Sequence, residues 1–164
     1  MTIALVMGVS GCGKTTVAAG VAQRLGWPLL EGDAFHPPSN VAKMASGTPL
    51  TDADRWPWLR AIAAAAAEVP SAVIACSALK RAYRDVLKAG RDDVVIVYLR
   101  GSRELIGARL AARKGHFMPP GLLDSQFVTL EEPGADEKPL TIPINDAPGK
   151  LIDAVVAGLR GRTA

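Results

Sequence analysis

The residues with the plainest chemical purpose form the run GVSGCGKT, Gly8 to Thr15. Its spacing is GxxxxGK[ST], and it stands between a short apolar segment, Ile3 to Met7, and a helical pattern that begins at Lys14. Glycines in such a loop let successive backbone N–H groups turn inward around phosphate oxygens, and the helix start adds the positive end of its dipole. Gly8, Val9, Ser10, Gly11, Cys12 and Gly13 supply the cradle. Lys14 is expected to bridge the β- and γ-phosphates of a nucleotide, Thr15 to offer its hydroxyl to Mg²⁺, and Thr16 to assist at the α-phosphate. Cys12 reads as a small space-filling residue, with a low-pKa thiolate at the helix start as the competing reading. A glycine-rich turn with no ligand is the plain alternative for the run, and the strand and helix flanks speak against it.

A phosphate loop specifies a nucleotide and not a reaction. Asp33 closes the run PLLEGD, and a parallel arrangement of strands sets it on the same sheet edge as the loop. There a carboxylate can accept the proton of an attacking hydroxyl or hold a magnesium-bound water; a turn cap is the ordinary alternative. The residues from Glu31 to Met44 show neither helical nor strand periodicity, yet they mix acids, His36, two prolines, an amide and Lys43. An irregular, proline-stiffened segment facing a polar substrate fits that mixture.

The elements that must position these groups follow from hydrophobic pattern. Ile3 to Met7, PLLEGD, AVIACSA, DVVIVYL and PLTIPI read as strands. Between them run helices over Lys14 to Leu25, Thr51 to about Glu68, Leu79 to Lys88 and Ser102 to Arg113, with a short helix near Leu122 to Leu130 and a last one over Ala147 to Leu159. Thr51 with Asp54 resembles a capping arrangement. Alternating apolar strands and helices imply an α/β domain of three layers, a five-stranded parallel sheet covered on both faces, with ligands at the carboxyl ends of the strands.

At 164 residues the chain is expected to form one domain, 1–164, burying about 70% of its unfolded surface without help from disulfides or a structural metal. Cys12 and Cys76 show no metal-binding spacing, which suits a reducing cytoplasm. No basic leader and no run of about 20 apolar residues is present, so neither export nor a membrane span is expected. Lys80 to Lys114 holds ten Lys/Arg against four Asp/Glu, while the net charge is only +3. This local excess suits a small phosphorylated or carboxylated ligand better than nucleic acid, a solvated helix face being the alternative.

Longer runs carry a more specific likeness. GDAFHPPSNVAKMASGTPLTDADRWPWL at 32–59, CSALKRAYRD at 76–85, YLRGS at 98–102, RLAARKGHFMP at 109–119 and QFVTLEEPGADE at 126–137 resemble the bacterial-type gluconokinase family. The resemblance covers nearly the whole chain except the last helix and residues 139–149. It implies a P-loop kinase fold related to nucleoside monophosphate and shikimate kinases, ATP with Mg²⁺, phosphorylation of D-gluconate at its 6-hydroxyl, and a homodimer. On this likeness the KGHFMPPG stretch belongs to a small lid over about 114–125. Arg109 would stack on adenine, and Arg113 would meet the transferring phosphoryl group, near Lys114 and His116. Arg55 resembles the carboxylate-binding arginine of shikimate kinases, with Arg81 as the alternative clamp. His36, Lys43, Ser77 and Lys80 are candidates for the hydroxyls. Two departures stand out: Cys12 where many members have Ser, and Ser77 where a strand-end acid of other P-loop proteins would be. A kinase for shikimate, another aldonate or a nucleoside monophosphate is the enzymatic rival. A nucleotide-binding switch is the rival of another class.

Overall fold

A computed structural model describes residues 1–112 and 120–163. Strand β1 (Ile3–Met7) leads through the phosphate loop into helix α1 (Lys14–Leu25). β2 (Leu29–Glu31) runs into a 3-10 turn over Gly32–Phe35 and then into α2 (Pro38–Ala45) and α3 (Asp52–Ala67). β3 (Ala72–Ala75), α4 (Arg81–Lys88), β4 (Val94–Arg100), α5 (Arg103–Ala112), α6 (Pro120–Thr129), β5 (Leu140–Pro143) and α7 (Pro148–Thr163) complete the order. All strand pairings are parallel, and the sheet order is β2-β3-β1-β4-β5.

The three layers follow from the pleat of the strands, whose successive side chains point to opposite faces. Ala4 and Val6 of β1 face a core built with Val17 and Val21 of α1 and with Leu151 and Val155 of α7. Ile3, Leu5 and Met7 face a second core with Leu59 and Ile62 of α3 and Leu87 of α4. β3 and β4 divide in the same way: Val73 and Val97 go to the first face, Ile74 and Ile96 to the second. A strand buried on both faces must be apolar throughout, which is why these runs lack polar alternation.

The expected elements are present with shifted ends, and two differences matter for the site. Asp33 lies in the 3-10 turn just past β2 and not in the strand. Half of the segment expected to be irregular is helical. α2 carries Pro38 at its start, its buried residue is Asn40, and its large apolar residues Val41 and Met44 are exposed. A helix that hides its amide and shows its hydrophobes has no apolar stripe for periodicity to find. α3 begins as expected: the Thr51 hydroxyl accepts the Asp54 N–H at 3.1 Å, and the Asp54 carboxylate accepts the Thr51 N–H at 2.9 Å.

Candidate active site

The parallel sheet brings three loop ends together. After β1 the phosphate loop enters α1 at Gly13, whose φ of +92° is in the left-handed region. Among the described residues no side chain caps α1, so its first N–H groups can meet an anion. The Lys14 ammonium donates to the Gly8 carbonyl at 3.1 Å and the Val9 carbonyl at 3.3 Å, which folds it over the loop. Cys12 is buried, and burial raises its thiol pKa against the pull of Lys14, so it fills space as a thiol. Thr15 and Thr16 are exposed at the helix start.

After β2 come Glu31 and Asp33. The Thr15 hydroxyl donates to Glu31 Oε2 at 3.1 Å, which joins the phosphate loop to the end of the neighbouring segment. Gly32 sits so close to β3 that a side chain there would meet the Ala75 carbonyl at 2.6 Å, and its own carbonyl accepts Trp58 Nε1–H at 2.7 Å. These contacts fix the turn that presents Asp33. The Asp33 side chain is exposed, and among the described residues its carboxylate has no hydrogen bond or ion pair. Lys14, Asp33 and Glu31 all act on Cys76 at the end of β3, whose burial pushes its thiol up to about 12.

His36 stacks on Trp58 with ring centroids 4.2 Å apart and planes 16° from parallel. Asn40 Nδ2 donates to the Asp54 carbonyl at 2.9 Å and lies 3.2 Å from His36 Nδ1. The amide nitrogen is a donor, so Nδ1 must accept and the ring proton belongs on Nε2. Burial lowers the His36 pKa, the Asp33 carboxylate works against that and Arg55 works with it. His36 is therefore a neutral ring whose Nε2–H has no partner among the described residues.

Where α3 packs against the start of α4, two cations meet one acid. Lys80 Nζ lies 3.4 Å from each Asp52 oxygen, and Arg55 Nη1 lies 3.6 Å from Oδ1 and donates to Tyr83 Oη at 3.1 Å. The Tyr83 hydroxyl donates to Asp52 at 2.5 Å, and burial together with that carboxylate pushes the phenol up to about 12. Two cations against one carboxylate leave one positive charge for an incoming acid. Lys43 and Arg81 are engaged elsewhere: Lys43 pairs with Asp54 at 2.7 Å, and Arg81 pairs with Asp136. Ser77 is half-buried, and its carbonyl accepts the Gly8 N–H at 3.3 Å. Arg109 on α5 donates to the Ile144 carbonyl, just past β5. Arg113, Lys114, His116 and the first part of the expected lid lie outside the described residues.

Comparison with known proteins identifies the frame. A family profile described as an AAA domain matches residues 3–132. A gluconokinase of Gluconobacter oxydans (strain 621H) is 47% identical over 93% of this chain and 88% of its own. The thermoresistant gluconokinase of Escherichia coli (strain K12) is 46% identical over 94% of this chain and 89% of its own. The chain belongs to the gluconokinase family. The crystal structure of a gluconokinase from Sinorhizobium meliloti 1021 superposes with a TM-score of 0.92 at 42% identity, covering 98% of this chain and 93% of that one.

For a gluconokinase-family site, sequence reasoning singled out the phosphate loop, Asp33, Arg55 and Lys80, and passed over several partners. Glu31 carried a signal, an acid two residues before Asp33 at a strand end. Asp52 stands three residues before Arg55 on α3 and Tyr83 three after Lys80 at the start of α4, both local spacings, but only the packing of α3 against α4 joins the two pairs. Asn40 and Trp58 act through buried contacts to His36, Asp54 and Gly32.

Proposed function

We propose that the chain is an ATP-dependent gluconokinase that transfers the γ-phosphoryl group to the 6-hydroxyl of D-gluconate, giving 6-phospho-D-gluconate and ADP. The observation that carries this reading is the exposed Asp33 carboxylate, unpartnered among the described residues, on the strand edge it shares with the phosphate loop. Family membership supplies the acceptor, since the relatives described above are gluconokinases.

In the proposed reaction Gly8 to Thr16 hold the nucleotide's phosphates, and Lys14 leaves the Gly8 and Val9 carbonyls for the β- and γ-phosphates. The gluconate carboxylate binds Arg55 and Lys80, while His36 Nε2–H and Ser77 serve hydroxyls along the chain. Lys43 and Arg81, each bound to a carboxylate, brace the pocket. The 6-hydroxyl oxygen forms a bond to the γ-phosphorus as the bond from phosphorus to the β,γ-bridging oxygen breaks. The hydroxyl proton passes to Asp33, and ADP leaves. Lys14 and, by family resemblance, Arg113 offset the charge on the transferring oxygens, with Arg109 at the adenine. Thr15 and Glu31, hydrogen-bonded at 3.1 Å, offer an oxygen-only donor pair that fits Mg²⁺, which favours one or two carboxylates together with phosphates and waters. When bound, Mg²⁺ would neutralise phosphate charge. Residues 1–164 as one domain, a lid over about 114–125, a homodimer and a cytoplasmic setting complete the proposal. Among the described residues no helix is long and apolar enough to cross a membrane.

The test is ADP release with gluconate, idonate, shikimate and AMP as acceptors, with the product examined by phosphorus NMR. Gluconate-dependent ADP and a phosphate ester at C6 are expected. ADP release that no added gluconate stimulates would overturn the assignment.

A further inference from the structure

The stretch from Gln126 to Glu137 touches both halves of the site. At its start the Gln126 carboxamide makes a reciprocal pair with Ser10: Oε1 accepts the Ser10 backbone N–H at 2.7 Å, and Nε2 donates to Ser10 Oγ at 2.9 Å. Ser10 follows directly on Gly8 and Val9, whose carbonyls hold the Lys14 ammonium. A phosphate-loop lysine serves the β- and γ-phosphates, so the arch from Gly8 to Ser10 lies at the outer-phosphate end of the loop. Farther along, the Glu131 N–H donates to the Leu79 carbonyl at 2.7 Å, and the Glu131 carboxylate accepts the Arg81 N–H at 3.0 Å. Leu130, between these attachments, packs on the cores of both faces of the sheet, so the stretch crosses the strand ends. Glu137 closes it on Arg84 beneath the β3–α4 loop.

We propose that Gln126 is a positioning residue for phosphoryl transfer. It holds the outer-phosphate end of the loop in its binding shape and registers it against the β3–α4 loop that carries Ser77 and Lys80. A carboxamide offers one acceptor and one donor in a fixed plane, which matches the N–H and hydroxyl of a single serine. The two bonds pre-order Ser10 before nucleotide arrives, and their benefit goes to ligands that reach the outer end of the loop. ATP should feel their loss and ADP should not. Loss of two bonds of ordinary strength corresponds to about thirtyfold in affinity.

This inference rests on the ATP-dependent reading above, but its binding test needs no acceptor. Gln126→Met keeps the length of the side chain and removes both bonds. Calorimetry should show AMP-PNP bound about thirtyfold more weakly and ADP within about threefold of the parent, with kcat on gluconate falling in parallel. Ser10→Ala removes one of the bonds and should weaken AMP-PNP about fivefold in the parent and no further in Gln126→Met. Equal weakening of AMP-PNP and ADP, effects of the two substitutions that multiply, or tighter AMP-PNP binding would each overturn the proposal. If the methionine variant folds poorly by circular dichroism, the AMP-PNP to ADP contrast in Ser10→Ala decides alone. A parent that binds both nucleotides but shows no gluconate-dependent turnover would instead count against the assigned reaction, and the binding contrast would still settle Gln126.

Discussion

Replacing Glu137 by Gln removes one charge from an enclosed pair. The Arg84 and Glu137 side chains are 0% and 1% exposed, joined at 2.9 Å (Nε to Oε1) and 3.1 Å (Nη2 to Oε2). Arg84 Nη1 also donates to the Ala78 carbonyl at 2.9 Å and the Leu79 carbonyl at 3.3 Å, and Glu137 accepts the Gly134 N–H at 3.0 Å. Glutamine keeps the shape but sets a donor against the guanidinium and strands a buried cation. Breaking such a pair costs about 3–5 kcal/mol, set against a total stability of about 5–15 kcal/mol. For a chain of this length the thermal midpoint should drop by about 6–20 °C. Ala78, held by Arg84, has a φ of +46°, a left-handed conformation that costs a non-glycine residue about 1–3 kcal/mol and relaxes once its anchor loosens. The disturbance should therefore reach Ser77 and Lys80, raising KM for gluconate more than KM for ATP. Urea melts of the parent, Glu137→Gln, Arg84→Met and the double variant measure the coupling, expected to be at least about 2 kcal/mol. Burial alone would raise the Glu137 carboxyl, but the bonds from Arg84 and Gly134 bring it below the usual 4.5. A carboxyl depressed on folding contributes in full above its unfolded pKa and loses that contribution as pH falls through its folded pKa. The gap between parent and Glu137→Gln should accordingly narrow below pH 4.5. A Glu137→Gln variant within about 1 kcal/mol of the parent at neutral pH, or two additive single substitutions, would refute the reasoning.

Three further outcomes follow from the site. Asp33→Asn should lower kcat by about 10²–10⁴ while nucleotide affinity stays within about threefold, and near-normal turnover would remove Asp33 from the mechanism. Arg55→Met and Lys80→Met should each raise KM for gluconate about tenfold to a hundredfold and leave KM for ATP in place; an effect confined to ATP would place the acceptor elsewhere. His36, followed by proton NMR, should titrate below the usual 6.5, since protonated Nδ1 would face the Asn40 amide donor; a value at or above 6.5 contradicts the assigned tautomer. The sign for stability follows: the unfolded chain takes up that proton first, so folding weakens as pH falls from 6.5 towards the folded value.

Much of this protein is legible in one dimension because its determinants are local. A buried parallel strand must be apolar on both faces, and a phosphate loop must have its glycines, lysine and hydroxyl at fixed spacing, so β1, β3, β4 and residues 8–15 announce themselves. The Thr51–Asp54 cap is local in the same sense. What only the tertiary structure decided depends on groups distant in the chain. α2 escaped notice because its interior contact is Asn40, and its polarity makes sense only beside His36 and Asp54. In the sequence Arg55 stands first for the carboxylate, Arg81 as its alternative and Lys43 for a hydroxyl, and only packing sets Arg55 beside Lys80 and Tyr83 and pairs Arg81 with Asp136 and Lys43 with Asp54. Gln126 meets Ser10 across 116 positions of sequence. Spacing along the chain encodes chemistry that one loop can perform, whereas charge neutralisation and hydrogen-bond satisfaction are settled between surfaces that meet only when the sheet has formed.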